Sequence, residues 1–132
     1  MEDRIEIILS ETRTVAMVGL SDKPDRPSNV VAGFLKARGY RVIPVNPAIR
    51  EALGETSCAS LAEVPVKVDL VDVFRRSEEV PPIAEEAVRI GARFFWMQEG
   101  VRSDRACEIL DAAGIPWVMD RCIKKELAKR GK

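Results

Sequence analysis

The sequence contains no histidine among its 132 residues. Because imidazole is the side chain that titrates near neutral pH, this absence excludes Ser-His-Asp hydrolysis, phosphohistidine intermediates and histidine metal sites. Cysteine is scarce too, and the three residues Cys58, Cys107 and Cys122 lie far apart and form no Cys-x-x-Cys pair. They predict neither a zinc site nor a disulfide framework. No complete catalytic constellation remains, so the sequence favours a binding protein over an enzyme.

A charge excess and long apolar runs are also missing. The 21 basic residues balance the 21 acidic ones, which gives no reason to expect a nucleic acid or a membrane surface as partner. No apolar stretch approaches the length of a membrane span, and residues 1–13 are charged throughout, unlike a signal peptide. We therefore expect a cytoplasmic protein whose 132 residues form one domain.

Two common nucleotide-binding signatures are absent. Of the dinucleotide motif G-x-G-x-x-G only Gly19 is present, and the second predicted strand ends in Asn46 rather than in the acid that binds the ribose hydroxyls of NAD. The Walker motif G-x-x-x-x-G-K-[ST] does not occur. The first absence weakens NAD as a ligand without excluding it, and the second argues against P-loop ATP or GTP hydrolysis.

What the sequence does contain is a regular alternation of short apolar runs and amphipathic segments, typical of strands and helices. The predicted strands cover residues 15–19, 41–45, 68–73, 93–97 and 116–119. The predicted helices cover residues 2–11, 29–38, 77–91 with a true start near Pro82, 104–113 and 121–129, and residues 48–59 are predicted as a loop. This order predicts a Rossmann-like three-layer α/β sandwich with a five-stranded parallel sheet and helices on both faces.

Polar residues before the helices are predicted to cap them. Ser103 and Asp120 precede the last two helices, and Ser60 begins a capping box for a single helical turn. Ser28 either caps the second helix or follows Pro27, which would then occupy the first helical position.

Other prominent side chains are expected to have ordinary structural roles. Trp96 and Trp117 lie in or beside strands and are expected to pack, and Asp69, Asp72 and Glu99 are expected to be exposed or salt-bridged.

The carboxyl ends of the strands are where parallel α/β sheets bind ligands. Small or polar segments occupy all these ends and are candidates for the site: Gly19-Leu20-Ser21, Asn46-Pro47, Phe74-Arg75, Gln98-Glu99-Gly100 and Asp120-Arg121-Cys122. Amides after Gly19 and the positive end of the next helix dipole favour a phosphate. Cations that could meet further phosphates follow the same strands: Lys23, Arg26, Arg50 and Arg75. Each of them could equally be a solvated surface charge.

Five segments together resemble a known family. They are residues 18–28 (VGLSDKPDRPS), 42–47 (VIPVNP), 72–78 (DVFRRSE), 96–101 (WMQEGV) and 118–122 (VMDRC). In this order they resemble the small stand-alone coenzyme A-binding proteins, whose fold is that of the CoA-binding domain of the succinyl-CoA synthetase alpha subunit. The resemblance implies coenzyme A (CoA) as the cofactor. It implies binding rather than catalysis, because the synthetase carries its phosphorylated histidine in a further domain.

The resemblance also implies a set of contacts, which fall on Gly19, Leu20, Ser21, Arg50, Phe74, Arg75, Gln98, Glu99 and Gly100. The diphosphate would lie across residues 19–21, with Lys23, Arg26 or Ser28 neutralising a phosphate. Adenine would lie between strand ends, flanked by Pro47 and Phe74, with Asn46 nearby. The pantetheine arm would run past residues 98–100 towards Cys122.

Two expectations concern single residues of this site. Cys122 either forms a mixed disulfide with the CoA thiol or is a small core residue, and the second interpretation is favoured. A β-branched residue in place of Gly19 is expected to abolish binding while leaving the fold intact.

Three functions stay open on this basis. The first is a CoA or acyl-CoA binding protein, and the second is a redox regulator or enzyme that binds NAD(H) on the same scaffold. The third is a non-catalytic subunit that completes an acyl-CoA synthetase with a partner chain. The expected partner is a small molecule, with a homo-oligomer or a synthetase-like partner chain as further alternatives.

Overall fold

The computed structural model describes residues 1–131. Within them the α-helices are α1 (Glu2–Glu11), α2 (Pro27–Ala37), α3 (Val80–Arg89), α4 (Asp104–Ala112) and α5 (Ile123–Lys129). The strands are β1 (Thr14–Val18), β2 (Arg41–Val45), β3 (Glu51–Ala52), β4 (Glu55–Thr56), β5 (Leu70–Val73), β6 (Phe94–Met97) and β7 (Trp117–Val118). Short 3-10 helices cover Leu61–Glu63 and Ser77–Glu79. No helix of this part of the chain is both long enough and apolar enough to cross a bilayer.

The main sheet has five parallel strands in the order β2-β1-β5-β6-β7. Val15 of β1 lies opposite Val42 on one side and Leu70 on the other, so β1 sits between β2 and β5. The chain runs from β1 to β2 and then returns to β5 on the other side of β1, which reverses the strand order. In sheets of this kind the ligand crevice lies beyond the carboxyl ends at that reversal.

Both faces of the sheet are covered, which explains why its strands read as continuous apolar runs. One face packs against α3 and α4, and its buried side chains include Ala16, Val71, Phe95, Ala84 and Leu110. The other face packs against α1, α2 and α5, and its buried side chains include Met17, Trp96, Ile8, Leu35 and Leu127. The predicted three-layer α/β architecture is therefore confirmed.

The segment 48–59, predicted as a loop, contains the antiparallel hairpin of β3 and β4. It continues alongside β2, where the Cys58 amide donates to the Pro44 carbonyl oxygen at 3.0 Å and the Asn46 amide donates to the Cys58 carbonyl oxygen at 2.8 Å. Because β2 is an edge strand of the sheet, this segment covers backbone groups that would otherwise be open to pairing with another chain.

Most predicted elements are present in the structure, but β5, β6 and β7 are shorter than predicted and several helix starts differ. Pro27 is the first residue of α2, as one of the two alternatives predicts, so Ser28 does not cap this helix. The start of α3 is Val80 and not Pro82. Prolines fit the first helical turn, since amides there have no acceptor within the helix.

The capping predictions have mixed outcomes. Ser103 caps α4 as predicted, and its Oγ accepts from the Ala106 amide at 3.1 Å. Ser60 makes no capping hydrogen bond with its side chain, and the Glu63 amide donates instead to the Ser60 carbonyl oxygen at 3.1 Å. The prediction for Asp120 is also wrong: α5 begins two residues later than predicted, with Cys122 at the N-cap.

Candidate functional site

Gly19 marks the point where the strand order reverses. Its φ of +93° is in the left-handed region that glycine adopts readily, and a Cβ there would lie 2.2 Å from the Phe74 carbonyl oxygen. Its amide donates to the Val45 carbonyl oxygen at 2.9 Å. The glycine therefore lets the ends of β1, β2 and β5 pack closely. The geometry argues against the expectation that a β-branched residue here leaves the fold intact, because its Cβ would overlap the Phe74 carbonyl group just after β5.

The loop after β1 is held by side chains predicted to touch the ligand. The Ser28 hydroxyl accepts from the Ser21 amide at 2.9 Å, and the Asn29 side chain donates to the Ser21 carbonyl oxygen at 2.9 Å. The Asn46 side chain donates to the Leu20 carbonyl oxygen at 3.0 Å. Ser28 and Asn46 thus fix the backbone of the loop that follows β1. Their hydrogen bonds to residues 20 and 21 are a role that sequence reasoning missed.

Some backbone amides at this junction have no acceptor within the described chain. The amides of Gly19 and Ser21 already donate within the protein. Among residues 1–131 nothing accepts from the amides of Leu20, Ser28 and Asn29, but Leu20 is fully buried, so only the Ser28 and Asn29 amides lie where a ligand can approach. The last two belong to the first turn of α2, where free N–H groups and the positive dipole end favour an anion. The donors that a ligand can approach therefore lie at the start of α2 and not at the predicted residues 19–21.

The four predicted cations carry no ion pair with a carboxylate of the described chain. Lys23 and Arg26 are exposed on the loop between β1 and α2. Arg75 lies over the strand reversal, since its Nε is 3.3 Å from where a Gly19 Cβ would be. Arg50 is exposed just before β3, and no described contact joins it to the other three. Three of the four cations thus belong to the two loops that flank the crevice.

An open groove of about 540 Å³ follows the ends of β5 and β6. Its lining brings together predicted residues from two strand ends with others that were not predicted: Phe74, Arg75, Gln98 and Glu99, and then Arg76, Glu79 and Val101. Arg76 bonds to Glu79 at 3.2 Å, and this hydrogen bond lowers the pKa of Glu79. The three-residue spacing of Arg76 and Glu79, directly after a strand end, is a signal that could have identified them.

Gln98 and Glu99 also attach the groove to α5. Gln98 is buried, with 3% of its surface exposed, and its Oε1 accepts from the Ile123 amide at 3.3 Å. Glu99 is exposed and pairs with Lys125 at 3.0 Å, which raises the pKa of that lysine. The salt-bridged role expected for Glu99 is confirmed. Both side chains fix the start of α5 at the carboxyl edge.

Cys122 and Pro47 occupy opposite borders of this edge. Cys122 is partly buried at the N-cap of α5 and packs against the same apolar cluster as Phe74. Pro47 is exposed in the turn that the Asn46 side chain closes by accepting from the Ala48 amide at 2.9 Å. The disulfide with a CoA thiol and the adenine contact both stay predictions.

Asp72 departs from its expected exposed or salt-bridged role. It is fully buried on β5, between Met17 and Trp96 of the neighbouring strands, and neither carboxyl oxygen has a hydrogen-bond partner. Burial raises its pKa well above the ordinary value. Asp69 differs, since its carboxylate accepts from the Arg13 and Thr14 amides. Because the sheet is covered on both faces, the pattern of polar and apolar residues in the sequence does not show which of Asp69 and Asp72 is buried.

Comparisons with known proteins agree with this architecture. The sequence model of the family described as "CoA binding domain" matches residues 13–128. A Bacillus subtilis protein described as uncharacterized protein YneT is 45% identical over 120 residues, which cover 91% of this chain and 89% of that protein. A solved structure of a hypothetical protein from Pyrococcus horikoshii OT3 has a TM-score of 0.94 and 33% identity, covering 98% of this chain and 91% of that chain.

One relative is a much longer enzyme. The acetate–CoA ligase (ADP-forming) I of Archaeoglobus fulgidus is 29% identical over 121 residues, which cover 84% of this chain but only 18% of the ligase. This chain therefore corresponds to a small part of that protein. The family match over residues 13–128 and the 45% identity to a relative of similar length show that the chain belongs to the CoA-binding domain family.

Proposed function

We propose that this protein binds coenzyme A or an acyl-CoA at the carboxyl edge of its sheet, as a carrier, a sensor or a separate subunit. The observation that carries the proposal is the juxtaposition of free amides and unpaired cations at the reversal of strand order. The Ser28 and Asn29 amides lack partners there, and Arg75 lies over Gly19. Family membership identifies CoA as the polyphosphate to test first.

The donor set suits the nucleotide half of CoA. A diphosphate needs several N–H donors and positive charge, which the first turn of α2 supplies through the amides of Ser28 and Asn29. Lys23, Arg26 and Arg75 add cations that form no ion pair with a described carboxylate, although Arg75 lies near enough to Glu79 to contribute to the lowered pKa of that acid. We therefore place the diphosphate over the first turn of α2, beside Arg75.

The remaining parts of CoA would follow the strand ends in order. Adenine would lie between Pro47 and Phe74, with Arg50 outside them as the least constrained contact. The pantetheine arm would enter the groove of about 540 Å³, past Gln98, Glu99 and Gly100, and end near Cys122. The groove is open to solvent, which leaves room for an acyl group on the thiol.

The NAD(H) alternative has less support at the end of β2. Dinucleotide enzymes place an acid there for the ribose hydroxyls. This chain has Asn46, whose side chain donates to Leu20 and accepts from Ala48. Both functional groups of that side chain are therefore already engaged within the protein.

A synthetase subunit is the second candidate function, favoured by the matching segment in the Archaeoglobus fulgidus ligase. Because this chain has no histidine, transfer through a phosphohistidine would require a partner chain that supplies one. Co-purification of a histidine-bearing partner with the tagged protein would support this candidate. A tagged protein that elutes alone from cells grown under several conditions would count against it.

Calorimetric titration with CoA, acetyl-CoA, NAD, NADP and ATP tests the main proposal. We expect CoA or acetyl-CoA to bind more tightly than the other three. The Arg75→Gln variant should weaken CoA binding by about tenfold or more, since hydrogen bonds to charged groups contribute about 1.5–3 kcal/mol. Arg105→Gln, which removes an exposed arginine of α4 paired with Glu108, is the matched control and should leave the affinity unchanged. Equal affinity of NAD and CoA would refute the proposal.

A further inference from the structure

The turn at residues 98–101 forms one wall of the groove. The Val101 amide donates to the Gln98 carbonyl oxygen at 2.9 Å, and Gly100, the third residue of the turn, has a φ of +83°. A positive φ at this position is what a type II turn requires, and glycine adopts it without steric cost. Because Gln98, Glu99 and Val101 line the groove, the conformation of the turn sets the shape of that wall.

Gly100 is held on both sides by side chains from other loops. Asp120, which follows β7, accepts from the Gly100 amide at 2.7 Å. Ser77, which follows β5, donates its hydroxyl to the Gly100 carbonyl oxygen at 3.3 Å. The peptide groups around Gly100 are therefore fixed by two residues that belong to neither the turn nor its strand.

The same two side chains also hold Arg102, just beyond the turn. The other carboxylate oxygen of Asp120 accepts from the Arg102 guanidinium at 2.9 Å, and the Ser77 hydroxyl accepts from the Arg102 amide at 2.9 Å. Asp120 and Ser77 thus join the three loops that follow β5, β6 and β7. The hydrogen bond from the Gly100 amide, together with Arg102, lowers the pKa of Asp120 and keeps it ionised at neutral pH.

The backbone of Asp120 is held in an unusual conformation. Its φ is +63°, a left-handed value that non-glycine residues adopt rarely and that aspartate tolerates better than most. Its carboxylate is directed at Gly100 and Arg102, and the N-cap of α5 is Cys122. The backbone of Asp120 has a rarely adopted φ, and its carboxylate bonds to another loop rather than to the helix that follows. This combination suggests a role at the site.

We propose that Asp120 and Ser77 are positioning residues that fix the turn at 98–101 as the wall for the pantetheine arm. This inference rests on the proposed function, because it assumes that CoA enters the groove. Neither residue is placed against the ligand, and both act through Gly100. The phosphates are placed over the first turn of α2, which shares no hydrogen bond with this turn. Loosening the turn should therefore weaken contacts with the arm and spare the nucleotide half.

The test compares two ligands, CoA and 3′-phospho-ADP, which is the nucleotide half of CoA without pantetheine. Asp120→Gly removes both carboxylate contacts and relieves the positive φ, so any loss arises from the contacts. We expect its affinity for CoA to fall about tenfold, equivalent to about 1.4 kcal/mol, and its affinity for 3′-phospho-ADP to change less than about twofold. Asp120→Asn keeps an oxygen that can accept from the Gly100 amide and should recover most of the CoA affinity.

Two further variants make the result decisive. Ser77→Ala removes the hydrogen bonds of Ser77 to Gly100 and Arg102 and leaves Asp120 unchanged. Like Asp120→Gly, it should weaken the binding of CoA more than that of 3′-phospho-ADP. Asp104→Asn changes an exposed aspartate of α4 and is the matched control. Melting temperatures show whether each variant is folded, and Ser77→Ala decides the matter if Asp120→Gly is unstable.

The outcomes separate the inference from the function beneath it. The inference is supported if Asp120→Gly and Ser77→Ala bind CoA more weakly while their affinity for 3′-phospho-ADP is nearly unchanged. Equal losses for both ligands, or no loss for either, overturn it while the wild-type protein still binds CoA. A wild-type protein that binds neither ligand overturns the proposed function itself.

Discussion

Asp72 makes the stability of this protein depend on pH in a direction opposite to that of most carboxylates. Its side chain is fully buried on β5 and neither oxygen has a hydrogen-bond partner among the described residues. Burial disfavours the charged form and raises its pKa well above the ordinary value. The folded protein therefore retains this proton at pH values where the unfolded chain has lost it.

The sign and size of the effect follow from proton linkage. Stability changes with pH in proportion to the protons bound by the unfolded chain minus those bound by the folded protein. For Asp72 this difference is negative between the unfolded and the folded pKa. The free energy of unfolding should therefore fall by up to about 1.4 kcal/mol for each pH unit in that window.

Asp72→Asn isolates this contribution, because the amide does not titrate. We expect the free energy of unfolding of the variant minus that of the wild type to increase as the pH rises from about 4, near the ordinary aspartate value. Urea denaturation followed by tryptophan fluorescence at several pH values measures it, with Trp96 opposite Asp72 as a probe. All other carboxylates titrate equally in both proteins and cancel.

The control is Asp104→Asn, which changes an exposed aspartate. Its difference from the wild type in the free energy of unfolding is the baseline for an exposed acid, and the difference for Asp72→Asn should rise more steeply with pH over the same range. If the free energy of unfolding of Asp72→Asn minus that of the wild type stays constant as the pH rises, the reasoning is refuted. A difference that decreases as the pH rises would refute it too. The first result would mean that folding leaves the pKa of Asp72 unchanged, and the second that folding lowers it.

Two further predictions concern backbone and cap. In urea denaturation, Gly19→Ala should lower the free energy of unfolding by clearly more than Gly91→Ala. Both glycines have a positive φ, but only at Gly19 would the added Cβ lie 2.2 Å from the Phe74 carbonyl oxygen. Equal losses in the two variants would contradict the steric argument. Ser103→Ala should cost about 1 kcal/mol through its lost cap on α4, and Ser60→Ala, which removes no capping hydrogen bond, should cost clearly less. Similar costs would contradict the capping assignment.

The elements that depend on local sequence could be predicted closely. The helix Glu2–Glu11 and the strand Arg41–Val45 have the predicted bounds, because helical spacing and an apolar run are visible within the segment itself. The hairpin of β3 and β4 could not be predicted in this way. Its strands are two residues long each, and the segment is held in place by pairing of Cys58 beside β2.

The candidate site was predictable as a region but not in its hydrogen bonds. The rule that ligands bind at strand ends brought together Phe74, Arg75, Gln98 and Glu99. It could not show that Asn46 bonds to the loop after β1, or that Asp120 bonds to Gly100. Those contacts depend on the directions of loop side chains, which tertiary packing determines.

A crystal structure of the protein grown with CoA tests the central claim most directly. The account predicts the diphosphate within hydrogen-bond distance of the Ser28 and Asn29 amides, with Arg75 beside it and pantetheine in the groove at the ends of β5 and β6. Density for CoA at the opposite, amino edge of the sheet, or a crevice at Gly19 left without ligand at saturating CoA, would contradict it.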